Sequence, residues 1–240
     1  MQNLPFYISF IFLLSLIAVI LFITSALFYG VGKNRKSRNI LMKYFVSGLF
    51  VWMLGIWLLT LKAFFLDFTA HPPRVIFVML PPAIVILVLF SRSRSRAFIK
   101  NMSLVPLTYI HLIRIPIELV LWWLASYSLL PLDLTFEGQN LDILAGISAP
   151  FAAIFLVGTR KIKKIGAIIW NLAALMLVVN VVFHAVSTTP YFWDASVSDI
   201  PNQAILYVPF IFLPAVIVPM VVFSHIASLY QLIFKKELHG

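Results

Sequence analysis

The sequence predicts an all-α polytopic integral membrane protein, a single domain of seven transmembrane helices with the N-terminus outside and the C-terminus cytoplasmic. Three observations carry that expectation. The 240 residues are 62% hydrophobic and 11% charged, against roughly 45–50% and 25% in soluble domains, and a water-soluble globule could not cover itself with so few polar groups. Seven apolar segments recur along the chain. The basic residues between them fall on alternate links only.

The segments cover about 5–29, 43–66, 74–91, 104–129, 142–158, 163–187 and 205–233. Spans of about 20 residues suit this composition, and each must be helical in lipid, where unpaired backbone groups find no water. The third and fifth are short, and the seventh is long enough to tilt. The first segment is preceded by Met1, Gln2 and Asn3, without positive charge, and its basic cluster follows it. It reads as a retained signal-anchor, not a cleaved signal peptide.

Orientation follows from the links. Lys33, Arg35, Lys36, Arg38 and Lys43 lie between segments one and two, Arg92, Arg94, Arg96 and Lys100 between three and four, and Arg160, Lys161, Lys163 and Lys164 between five and six. Lys235 and Lys236 lie in the tail. The other links carry Asp67, Asp133, Glu137, Asp142, Asp194 and Asp199, with Arg74 their one basic residue. The positive-inside rule puts the four basic clusters in the cytoplasm. Trp122, Trp123 and Tyr127 suit an outer interface, Tyr29, Tyr44 and Tyr230 an inner one. Tyr191, Phe192 and Trp193 read as an outer interface anchor. The short loops suit a bacterial inner membrane.

The net charge of +10 sits in these topogenic clusters, the Ser-Arg run at 91–96 included, so membrane lipids and not nucleic acid are the expected partners. With no cysteine, disulfides and thiolate metal sites are excluded, and no metal site is expected. Gly30-Val31-Gly32-Lys33 lacks the spacing of a P-loop. There is no mid-membrane lysine in the seventh segment for a retinal Schiff base, no His-x-x-x-His pair and no Gly-x-Ser-x-Gly. The oligomeric state is left open.

An ionisable residue inside a bilayer is a functional hypothesis by default. On the fourth segment His111, Arg114 and Glu118 are spaced i, i+3, i+7 and share one helix face, so that face must look into the bundle. Pro116 removes the donor to the carbonyl of Leu112 and should distort the helix there. On the seventh segment His225 lies at the depth of His111, with Ser224, Ser228 and Gln231 nearby. On the sixth, Asn180 and His184 are one turn apart, and on the second, Lys62 either snorkels to the interface or pairs with Glu118 or an outer acid. Glu137 and Asp142, in an oxygen-rich stretch before the fifth segment, are candidate outer-side contacts.

These residues suggest a small membrane transporter or solute-binding protein, without enzymatic activity, whose polar site lies between the fourth, sixth and seventh segments. Arg114 would hold the anionic group of a small polar solute, and Glu118 or His225 would handle a proton. Two alternatives use the same residues. One is a membrane enzyme on a lipid or isoprenoid substrate, with His111 and Glu118 as acid and base. The other is a haem-binding redox protein, with His111 and His225 as axial ligands and Arg114 near a propionate.

Overall fold

A computed structural model describes residues 4–30, 35–159, 161–192 and 198–235. Lys33, Arg160, Trp193, Asp194 and Lys236 lie outside the described residues. Among those described there is no strand. The helices are α1 (Phe6–Gly30), α2 (Arg35–Leu61), α3 (Ile76–Ser91), α4 (Ser93–Ile99), α5 (Leu104–Ser126), α6 (Asp142–Val157), α7 (Lys164–Ser187) and α8 (Leu213–Phe234). Five of them, α1, α2, α5, α7 and α8, are long and apolar enough to cross a membrane. The pair α3 and α4, bent by 93°, makes a sixth if taken as one span, and α6 is apolar but shorter.

Each expected segment overlaps one of these helices, with differences at the ends. Arg35, Lys36 and Arg38 belong to the first turn of α2 and not to a link. The Ser-Arg run is not a loop but continues as α4, after a break at Arg92, whose backbone is extended. Residues 205–212 do not start the last helix. A 3-10 turn at Ala204–Leu206 leads through an irregular stretch to Leu213.

Proline shapes the irregular turns. A 3-10 turn at Ile110–Ile113 sits just ahead of Pro116, where the helical bond to Leu112 has no donor. A π-turn at Ala153–Val157 follows Pro150, and another at Leu213–Ile217 holds Pro214 and precedes Pro219. Pro219 has no N–H to give the carbonyl of Ala215, and the Trp52 indole donates to it at 2.9 Å. That bond ties α2 to α8.

The centre of the bundle is α5, whose most apolar stretch is 67% buried, against 6% for α2 on the periphery. One stripe of α1 (Ile8, Phe12, Leu16, Val19, Ile23) is buried, and α1 packs along α5. The outer faces of α2 and α3 carry exposed Phe50, Val51, Leu61 and Leu87, an apolar exterior compatible with a membrane. Arg38, in the first turn of α2, lies over the Phe28 ring near the end of α1, and Lys100, just past α4, lies over Tyr230 near the end of α8.

Helix α6 covers only part of α5. A Cβ on Gly146 would meet Ile115 Cγ1 at 2.9 Å, and Val157 clusters with Leu104, so the two helices run antiparallel with Asp142 at the level of Glu118. That level is about 12 Å short of Ser126, at 1.5 Å per residue. The stretch 127–141 therefore folds down into the bundle, with Leu130, Leu134, Thr135 and Asn140 buried. Irregular backbone at such depth is tolerated where protein covers it. Gly138 allows the fold-back, because a Cβ there would meet Asp133 Cα at 2.4 Å and the Leu132 carbonyl at 2.6 Å.

Gly138→Ala is expected to cost about 1–3 kcal/mol through this overpacking. Gly48 and Gly55, on α2, have nothing within 4 Å of an added Cβ, so Gly55→Ala should leave thermal unfolding in detergent unchanged or slightly raised. Equal melting shifts in the two variants would contradict the fold-back.

Candidate functional site

Four helices converge on Arg114, near the middle of α5 and 2% exposed. Its Nη1 donates to Asp142 Oδ1 at 2.8 Å and to the Ala174 carbonyl on α7 at 3.1 Å. Its Nη2 reaches His225 Nε2 on α8 at 2.7 Å and His111 Nδ1 at 3.2 Å. A guanidinium only donates, so both ring nitrogens facing it accept. The remaining nitrogens then carry the protons: His111 Nε2 meets Ser224 Oγ at 3.2 Å and His225 Nδ1 donates to Asn171 Oδ1 at 2.9 Å. Ser224 passes its own proton to the Val221 carbonyl, and Asn171 donates to that of Ala167. The pattern is consistent only with two neutral imidazoles. They stack at 3.8 Å with 17° between planes, and Trp170 packs against both.

Arg114 does not pair with Glu118; the ion pair joins it to Asp142. Glu118 Oε1 instead accepts from Asn140 Nδ2 at 2.6 Å. Asn140 also donates to the Leu134 carbonyl and takes the Asp142 N–H on its Oδ1, starting α6 and holding the folded-down stretch against α5. Two carboxylates thus face one guanidinium.

Beside this cluster lies a cavity of about 90 Å³ bounded by α3, α5, α7 and α8. Its walls are aliphatic, as at Met79, Val178, Val182, Ile217 and Val221, and its polar lining is Arg114, Glu118, Asp142, Thr189 and Asn202. Three of these residues carry a buried polar atom without a hydrogen-bond partner: Arg114 Nε, Glu118 Oε2 and Asn202 Oδ1. Buried polar groups are nearly always paired, so three unpaired atoms on the residues of one cavity set it apart from the saturated cluster beside it. Asn202, fully buried, is held by its N–H to the Thr188 carbonyl at 2.7 Å.

Other candidates lie elsewhere. Asn180 is bonded to the Gln139 carbonyl on the surface, and His184 packs on Phe183; neither lines the cavity. Lys62 is exposed, and neither ion pair among the described residues involves it. Glu137 is exposed, whereas Asp142 is no outer contact but the counter-ion at the centre. His111 is fully buried behind Arg114 and does not share the cavity with Glu118, which separates the acid–base pair expected of an enzyme. The axial-ligand geometry does not fit either, since the imidazoles lie face to face and all four ring nitrogens are engaged.

Beyond the C-terminal ends of α2 and α7 a second cluster joins the links. Arg74 pairs with Asp67, bonds the Phe64 carbonyl and lies over the Phe64 ring. Tyr191 donates to the Phe65 carbonyl at 2.6 Å. The Thr69 hydroxyl and, less strongly, Arg74 hold the exposed Asp67 carboxyl below its usual range.

A family model matches residues 72–233, well over half of the chain. The chain belongs to that family, the domain of unknown function DUF8737. The DUF8737 stretch holds every residue of the cluster and of the cavity wall. No curated protein and no solved structure matches the chain.

Asp142→Ala should be strongly destabilising, by about 3–5 kcal/mol, because it strands a buried guanidinium. Arg114→Met with Asp142→Leu should recover much of that loss, measured by thermal unfolding in detergent. A mild Asp142→Ala would show that Arg114 does not depend on it.

Proposed function

We propose that this is a seven-span protein of a bacterial inner membrane, N-terminus outside, that binds a small solute at mid-membrane and carries it across. The observation that supports this is the set of three unpartnered buried atoms, Arg114 Nε, Glu118 Oε2 and Asn202 Oδ1, on residues of one cavity. A site that served packing alone would have its polar atoms satisfied by neighbours. The cavity extends from the cluster at mid-bundle toward Thr189 and Asn202, next to the outer links, so the solute enters from outside. Its floor is offered by α5 and α6 and its walls by α3, α7 and α8, a broader set than the three helices expected from sequence.

The charge count speaks against an anion as the solute. Arg114 has spent both terminal nitrogens on protein acceptors, and two carboxylates stand around it. What remains is one donor and two acceptors on otherwise aliphatic walls, which suits a small molecule with an apolar body and a polar end.

Protein purified in native lipid should carry non-protein density in this cavity. Glu118→Gln and Asn202→Leu should each reach the membrane folded and lose bound solute at least tenfold, about the 1–3 kcal/mol of a buried polar contact. Wild-type occupancy in both would overturn the reading. The topology is tested separately in the cysteine-free chain. A cysteine at Glu137 should react with an impermeant maleimide from outside, and one at Ser93 only after the membrane is opened.

A further inference from the structure

We propose that the cavity binds a small alkylammonium ion in exchange for a proton on Glu118. The inference rests on the solute-binding reading above and specifies its ligand.

Charge balance is the first reason. The groups facing Glu118 are Arg114 on its own helix and Asp142 on α6, with neutral His111 and His225 beyond the guanidinium. Walls from α3, α7 and α8 add no ionisable group to the cavity. One guanidinium against two carboxylates leaves a single positive charge wanting in an apolar surrounding, where an uncompensated ion is very costly. A proton or a ligand cation can supply it, and there is room for only one of them on Oε2, since Asn140 occupies Oε1.

Hydrogen-bond count is the second. At mid-bundle the unpartnered Glu118 Oε2 accepts, while Arg114 Nε is a donor and Asn202 Oδ1, on the residue bonded to the Ala185 carbonyl, lies farther along the cavity. An ammonium, with three donors and no acceptor, answers Glu118 Oε2 and leaves Arg114 Nε as it is. A carboxylate guest would meet the reverse. The third reason is shape: about 90 Å³ of mostly aliphatic lining compares with the roughly 150 Å³ apolar cavity that admits benzene, so a four-carbon chain suits it better than a sugar or a nucleotide. The exchange balances as Glu118–COOH with R–NH₃⁺ giving Glu118–COO⁻···⁺H₃N–R and one proton, released by way of the cavity.

Isothermal titration of the purified protein at pH 6 with n-butylamine, 1-butanol and butyrate tests this with one skeleton and three heads. Repeating it in buffers of different ionisation enthalpy counts protons. The expected result is butylammonium binding at least tenfold tighter than butyrate, with close to one proton released, and no release with butanol. Glu118→Gln should abolish the release and weaken butylammonium at least tenfold. Should that variant not fold, the wild-type proton count decides alone. Butyrate or butanol binding as well as the amine, or amine binding without proton release, would overturn the cation exchange while leaving the solute site standing. Failure of all three to bind would overturn the site as well.

Discussion

The fold is organised around one buried cation. Arg114 is buried, and its two terminal nitrogens are shared among three other helices: Nη1 between the start of α6 and a carbonyl of α7, and Nη2 to an imidazole of α8. Removing a charge from water is tolerable only when Coulomb partners and hydrogen bonds replace the solvent together. That requirement fixes the relative placement of four helices in a way that aliphatic packing would not. It also explains why both histidines stay neutral. Each serves as an acceptor to Arg114, and a proton on either would replace an attraction with a buried repulsion.

A consequence is a division between a saturated side and an unsaturated one. Toward α8 and α7 the network closes: His225, Asn171, His111 and Ser224 leave no ring nitrogen without a partner. Toward the cavity it stays open, and three of the unpartnered buried atoms, Arg114 Nε, Glu118 Oε2 and Asn202 Oδ1, belong to residues that line it. The polar column on α8 continues inward with Ser228 and Gln231, both buried with a polar atom unpartnered. Polar groups thus run from Thr189 and Asn202 through the centre toward the C-terminal end of α8.

Much of this was legible in the sequence, and the rest was hidden for physical reasons. Hydropathy located the helices because each coincides with a long apolar run, and the shortness of the third and fifth segments was already visible. The i, i+3, i+7 spacing of His111, Arg114 and Glu118 predicted a shared inward face, and the common depth of His111 and His225 allowed them to meet. Their partners were not legible. Asp142 lies 28 residues from Arg114 on what reads as an outer link, and only the fold-back at Gly138 lowers it to the charge it balances. Asn140 is an Asx cap whose second task, holding Glu118, depends on tertiary placement. Asn202 reads as a loop residue beside proline. Conversely, Asn180 and His184 have the right spacing but occupy a face of α7 turned from the cluster, and nothing in one sequence distinguishes the two faces of a helix apolar all round.

The family unit begins at residue 72, after α1 and α2, yet α1 lays its whole buried stripe along α5. In this chain the matched stretch therefore relies on a helix outside it to cover one face of α5. A relative made only of that unit would leave the back of its central helix bare and would have to recruit a replacement, from another chain or from an unrelated N-terminal extension. The first helix in this sense lends a packing surface to a unit that does not contain it.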